Sequence, residues 1–146
     1  MSVNGDLTRR GITPTFSRVQ LSVPLFIKQV APAEMTDGAT ITAANLIKGM
    51  ILGTPTAAAE YQLPLAADLD AAWLDEVEVD RAFDLQIVNL AATQDWYITL
   101  TASAGWTIVG NAIVNSSQWE VSYYLGTGTF RIRKTAADTF TAYRIA

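Results

Sequence analysis

Cysteine and histidine are both absent from the chain. Without cysteine there are no disulfide frameworks, no thiolate zinc or iron–sulfur sites and no thiol nucleophile. Without histidine, Ser-His-Asp triads, imidazole zinc sites and imidazole acid–base catalysis are excluded as well. Charged residues are sparse, at 16%. Long apolar runs are missing too: Val23–Ile27 and Leu46–Leu52, the most apolar stretches, are too short or too interrupted to span a bilayer. Arg9-Arg10 stand near the start with no apolar segment behind them, so the expectation is synthesis in the cytoplasm without a secretory leader, and no membrane partner.

What is present is apolar residues. They make up 50% of 146 residues, with a mean hydropathy of +0.21. A chain of this length fits one domain, buries roughly 68–70% of its unfolded surface and needs no covalent staple. High apolar content without a membrane segment points to burial between copies, and a homo-oligomer is the expectation.

Charge is unevenly distributed. Residues 1–50 carry five basic and three acidic groups (net +2), residues 51–100 carry Arg81 against nine carboxylates (net −8), and residues 101–146 carry four basic and two acidic groups (net +2). The basic front and acidic middle are complementary, which suits contacts between copies or with a protein partner. Arg9, Arg10, Arg18 and Lys28 are too few and too spread for a phosphate-binding stripe, so no nucleic-acid partner is expected.

Gly5, Gly11, Pro14, Pro24 and Pro32 punctuate residues 1–35, which read as an extended arm, while residues 36–146 read as one β domain. Val19, Leu21 and Val23 give the arm one apolar face, and Leu25, Phe26 and Ile27 suit a groove. Arg9, Arg10 and Arg18 suit carboxylates on a neighbour. The alternative is an arm folded back as an edge strand of its own sandwich. Beyond Thr36, strands are expected at 39–43, 46–52, 58–63, 82–90, 96–100, 106–109, 118–125, 130–134 and 139–145, joined by short turns. Leu65, Leu69, Ala72 and Trp73 fall at i, i+4, i+7 and i+8, which predicts one short helix over 64–75 with Pro64 at its first position. Phe83, Leu85 and Ile87 should face in and Asp84 and Gln86 out, and Phe130 and Ile132 in against Arg131 and Arg133 out. Leu46, Ile47, Met50, Ile51 and Leu52 form a stretch apolar on both faces, buried either between chains or inside one sandwich.

Candidate chemistry is thin. Glu76, Glu78 and Asp80 would share a face of an extended segment, as a hard-cation site or as a solvated acidic edge that blocks sheet-to-sheet aggregation. No metal or cofactor is expected. Paired carboxylates for glycoside hydrolysis would have to face each other across a cleft, which a helix face and a strand edge do not offer, and no enzyme is expected. Trp96, Tyr97, Trp106, Trp119, Tyr123 and Tyr124 suit either a sugar-stacking platform or core and interface packing.

Three blocks carry a resemblance. They are Gly53–Pro64 leading into Ala66–Ala72, then Ile98–Leu100 through Gly105–Asn111, and Gly128–Lys134 with Phe140–Ile145. In this order they resemble a β-rich domain of structural proteins in tailed bacteriophages and other large DNA viruses, over roughly residues 38–145. The resemblance implies an all-β, antiparallel jelly-roll-like β-sandwich, commonly trimeric, with no catalytic residues. The leading functional expectation is a capsid decoration (cement) protein on the outer capsid surface of the virion, binding the major capsid protein. The alternatives are a fibre or tail module that binds carbohydrate, or a neck or tail connector.

Overall fold

The computed structural model describes residues 26–73, 78–118 and 126–146. Its elements are β1 (Ala33–Met35), β2 (Ala39–Thr40), α1 (Ala43–Leu46), β3 (Met50–Gly53), β4 (Ala59–Gln62), α2 (Ala66–Ala72), β5 (Ala82–Asn89), β6 (Ile98–Thr101), β7 (Trp106–Val109), β8 (Ile113–Val114), β9 (Thr127–Ala136) and β10 (Thr139–Arg144). The strands form a six-stranded sheet, β1-β3-β5-β9-β10-β7, and a four-stranded sheet, β2-β4-β6-β8. The fold is thus β-rich and built of two sheets.

The chain changes sheet at every step from β1 to β9. A strand that leaves one sheet, runs through the other and returns beside its predecessor must return in the same direction. Hence β1, β3 and β5 pair in parallel, and so do β2, β4 and β6. β7 joins β10 in parallel, while β5–β9, β9–β10 and β6–β8 are antiparallel. The antiparallel pairing expected of a jelly-roll-like sandwich is corrected: both sheets are mixed. Of the short turns, Ser103–Gly105 and Gly110–Asn111 are corners between sheets, whereas Ala136–Asp138 joins the antiparallel neighbours β9 and β10 within one sheet. Ser103–Gly105 carries the chain from β6 to β7 on opposite sheets, and Gly105 turns it at φ +85°, where an added Cβ would lie 2.5 Å from Ala66 Cβ.

Alternation sets the core. Leu85, Ile87, Phe130, Ile132 and Phe140 point inward from the larger sheet against Tyr61, Ile98, Leu100 and Val114 of the smaller. Phe83 is half-buried against this core, and Asp84, Arg131 and Arg133 point outward, as the period-two pattern requires. The two described helices close one side through Leu46, Ala66 and Leu69.

Four local expectations need correction. Residues 46–52 are not one strand: Thr42 Oγ1 accepts from Asn45 N and caps α1, and Gly49 at φ +77° turns the chain into β3. Helix α2 starts two residues after Pro64, with Leu65 as its N-cap, so Ala66 and Leu69 are buried and Leu65 is half exposed. The two-residue strand β8 carries no sequence signal of its own. Residues 33–35, counted with the arm, form β1 at the edge of the larger sheet, with Ala33 buried. The strand expected at 118–125 lies almost wholly outside the described residues.

Candidate functional site

Of the arm residues singled out, Arg9, Arg10, Arg18, Val19, Leu21, Val23 and Leu25 lie outside the described residues. Phe26 and Ile27 lie within them and are 85% and 81% exposed. The chain then runs to β1, and on the way Gln29 Nε2 donates to Lys48 O at 2.9 Å. Both partners are on the same side of the domain as the α1–β3 turn.

The candidate interface stretch is divided by the fold. Leu46 and Ile51 are fully enclosed in the chain's own core, which removes them from any contact between copies. Met50 and Leu52 flank Ile51 and therefore face outward on the larger sheet, level with Gln86 and Val88. Ile47, at the end of α1, is 44% exposed.

An aromatic ladder runs from the core to the surface beside Ile47. Trp106 stacks on Phe140 at 5.3 Å between ring centroids, Phe140 stacks on Trp73 at 5.8 Å, and Trp73 meets the edge of Phe83 at 5.0 Å. Such contacts add roughly 0.5–1.5 kcal/mol each beyond area burial. Trp106 is the buried end, and its indole N–H donates to Pro64 O at 2.7 Å. Trp73 and Phe83 are the outer end. With Ile47, Gly49, Ala72 and Asp84 they line a mostly apolar cleft of about 410 Å³. Asp84 stands at its rim and accepts from Arg131 Nε at 2.8 Å and Nη2 at 2.9 Å, which holds its carboxyl below the usual carboxylate range. The rim acid is therefore ionised and already paired.

Sequence reasoning did not find this site. Trp73 and Phe83 read as members of a helix face and a strand face, and only the tertiary fold sets Trp73 between Phe83 of β5 and Phe140 of β10. The sugar-platform residues do not gather at it. Trp106 is part of the core, Trp96 is half-buried beside Tyr97, which is 39% exposed, and Trp119, Tyr123 and Tyr124 lie outside the described residues.

The acidic cluster is dispersed. Glu76 lies outside the described residues, and Glu78 sits 3.9 Å from Arg81 in an exposed pair. Asp80 adopts φ +76° in a turn and pairs with Arg133, so the segment is not extended there. Among the described residues no group of three or more potential metal-ligating side chains converges. Asp70 instead ties α2 to the sheet: Lys134 Nζ reaches its carboxylate at 2.5 Å and Asp138 N at 3.0 Å, and these hydrogen bonds keep its carboxyl below the usual range.

Two buried polar groups hold the sheets together. Tyr61 donates to Met35 O at 3.0 Å, and burial, with Asp37 adding, pushes its phenol up to about 12. Asn89, fully buried at the end of β5, donates to Trp96 O at 2.9 Å and Val114 O at 3.0 Å and accepts from Ala91 N at 3.0 Å. No helix among the described residues is long and apolar enough to cross a membrane. Comparison of the chain with known protein families, with curated proteins and with solved structures finds no match.

Proposed function

We propose that this chain is a virion structural protein, a decoration protein that assembles as a trimer on the outer surface of a capsid and is anchored to the major capsid protein through its N-terminal arm. The observation that carries the reading is the pair Phe26 and Ile27, two large apolar side chains 85% and 81% exposed in the segment that leads into the edge strand β1. Leaving such side chains in water has no structural return in an isolated chain, and adjacent apolar anchors next to an open strand edge are what β-augmentation and groove binding use. Arg9, Arg10 and Arg18 add basic groups for carboxylates on the shell. Met50, Leu52 and Val88, neighbours on the outer face of the larger sheet, offer a surface for contacts between copies.

The test is a count. Particles purified from the source of this sequence, resolved on gels and quantified by densitometry, should contain this chain at a copy number on the order of hundreds, as symmetric shell display requires. A handful of copies would move the protein to a fibre, tail or neck. Its absence from particles would overturn the virion assignment altogether.

A further inference from the structure

The apolar cleft beside Trp73 opens next to the place where the arm joins the domain. Gln29 is hydrogen-bonded to Lys48 O at 2.9 Å, and Lys48 is flanked by Ile47 and Gly49, both of which line the cleft. Upstream, Val19, Leu21, Val23 and Leu25 alternate with Gln20, Ser22 and Pro24, so an extended run would present one apolar edge. At about 3.3–3.6 Å per residue, Leu25 reaches roughly 14 Å and Val23 roughly 20 Å from Gln29. The strip therefore starts within reach of the cleft. Charge agrees: residues 1–25 carry Arg9, Arg10 and Arg18 against Asp6, and the exposed Asp68 stands on α2 one turn before Ala72.

We propose that the cleft lined by Ile47, Gly49, Ala72, Trp73, Phe83 and Asp84 is the docking site for this chain's own segment Val19–Leu25, which lays apolar side chains against the Trp73 and Phe83 rings in the free protein. A tether of a few residues gives an effective concentration in the millimolar range, so the chain's own arm outcompetes the arm of a second copy, which must first associate. At about 410 Å³ the cleft lies at the small end of ligand pockets, about 300–1,000 Å³, a size for one or two side chains rather than a folded partner. The inference concerns the free chain and stands whatever the arm's final target is.

The lack of cysteine makes the test direct. A nitroxide is attached to full-length protein carrying Ser22→Cys, a polar position between the docking side chains, and the Trp73 indole N–H and Ile47 methyl signals are followed by NMR. The expected result is a several-fold loss of both signals, with the Trp73 signal restored in Ile47→Asp, a substitution at a position that is 44% exposed. Undiminished Trp73 and Ile47 signals would overturn the proposal and leave the cleft to the residues after Trp73 or to a small molecule. Loss of the Trp73 signal that persists in Ile47→Asp would overturn it as well. Mixing spin-labelled chains with isotope-labelled unmodified chains separates the remaining case: broadening that arises only between chains makes a second copy the occupant and refutes docking within one chain.

Discussion

Replacing Asn89 with leucine keeps the side chain's approximate size and removes its polar atoms. In the native chain the amide makes three hydrogen bonds at 2.9–3.0 Å, to Trp96 O, Val114 O and Ala91 N, at a site with no solvent exposure. The substitution leaves the Ala91 N–H buried without its acceptor, and the Trp96 and Val114 carbonyls each lose a donor. A typical hydrogen bond contributes about 1 kcal/mol net, and a buried group left unpaired costs about 1–3 kcal/mol. Leucine recovers part of this through apolar contact, so the expected net loss is about 3 kcal/mol, roughly two decades in the folding equilibrium. For a chain of this length that corresponds to a fall of about 6–12 °C in Tm. Urea unfolding followed by circular dichroism should show the midpoint shifted with an unchanged slope, since the surface exposed on unfolding is the same. Ser116→Ala should cost about 1 kcal/mol, because Ser116 Oγ donates to Ala91 O at 3.0 Å. The double variant should depart from additivity by about 0.5 kcal/mol or more, since both side chains fix Ala91. A loss below about 1 kcal/mol for Asn89→Leu would refute the view that this amide holds β5 to the β6–β8 layer.

Two further outcomes follow from the same geometry. Asp70 has a carboxyl lowered first by its hydrogen bond to Lys134, so the stability it adds is present above the ordinary aspartate range and is lost as pH falls through its folded value. Asp70→Asn should therefore lower stability near neutral pH, by about 2 kcal/mol for a largely enclosed charge-assisted pair, and flatten the loss of stability below about pH 4, as read from urea midpoints across pH. Phe26→Asp with Ile27→Asp should leave the unfolding free energy within about 0.5 kcal/mol of the parent, because both side chains are solvent-exposed, yet abolish co-sedimentation with particles stripped of this protein. Retained binding would place the anchor elsewhere.

Periodicity carried the parts of the fold that depend on which way a side chain points. Leu85 and Ile87 alternate with Asp84 and Gln86, and Phe130 and Ile132 with Arg131 and Arg133, and each set faces as that pattern requires. A period of two says nothing about which strand lies next door. Ser103–Gly105 is as compatible with a hairpin as with a corner between sheets, and the winding β1-β3-β5 over β2-β4-β6 follows only from many such corners taken together. Leu46–Leu52 shows the other limit. A short apolar run is equally a strand or a buried helix end, and here a threonine cap and a glycine at positive φ decide between them. The cleft was illegible for a third reason. Its rings stand at the end of α2 and on β5 and meet edge to face, with Phe140 of β10 stacked on Trp73, so each residue looks like ordinary core in its own segment. What marks it out is a single exposed contact: Gln29 on Lys48 sets the start of the described chain beside a pocket that Trp73 and Phe83 line. Composition signals an apolar excess in the chain as a whole, the alternation over Val19–Leu25 gives the arm one apolar edge, and topology sets an apolar cleft beside the point where the arm joins the domain, so edge and cleft explain each other better than either is explained alone.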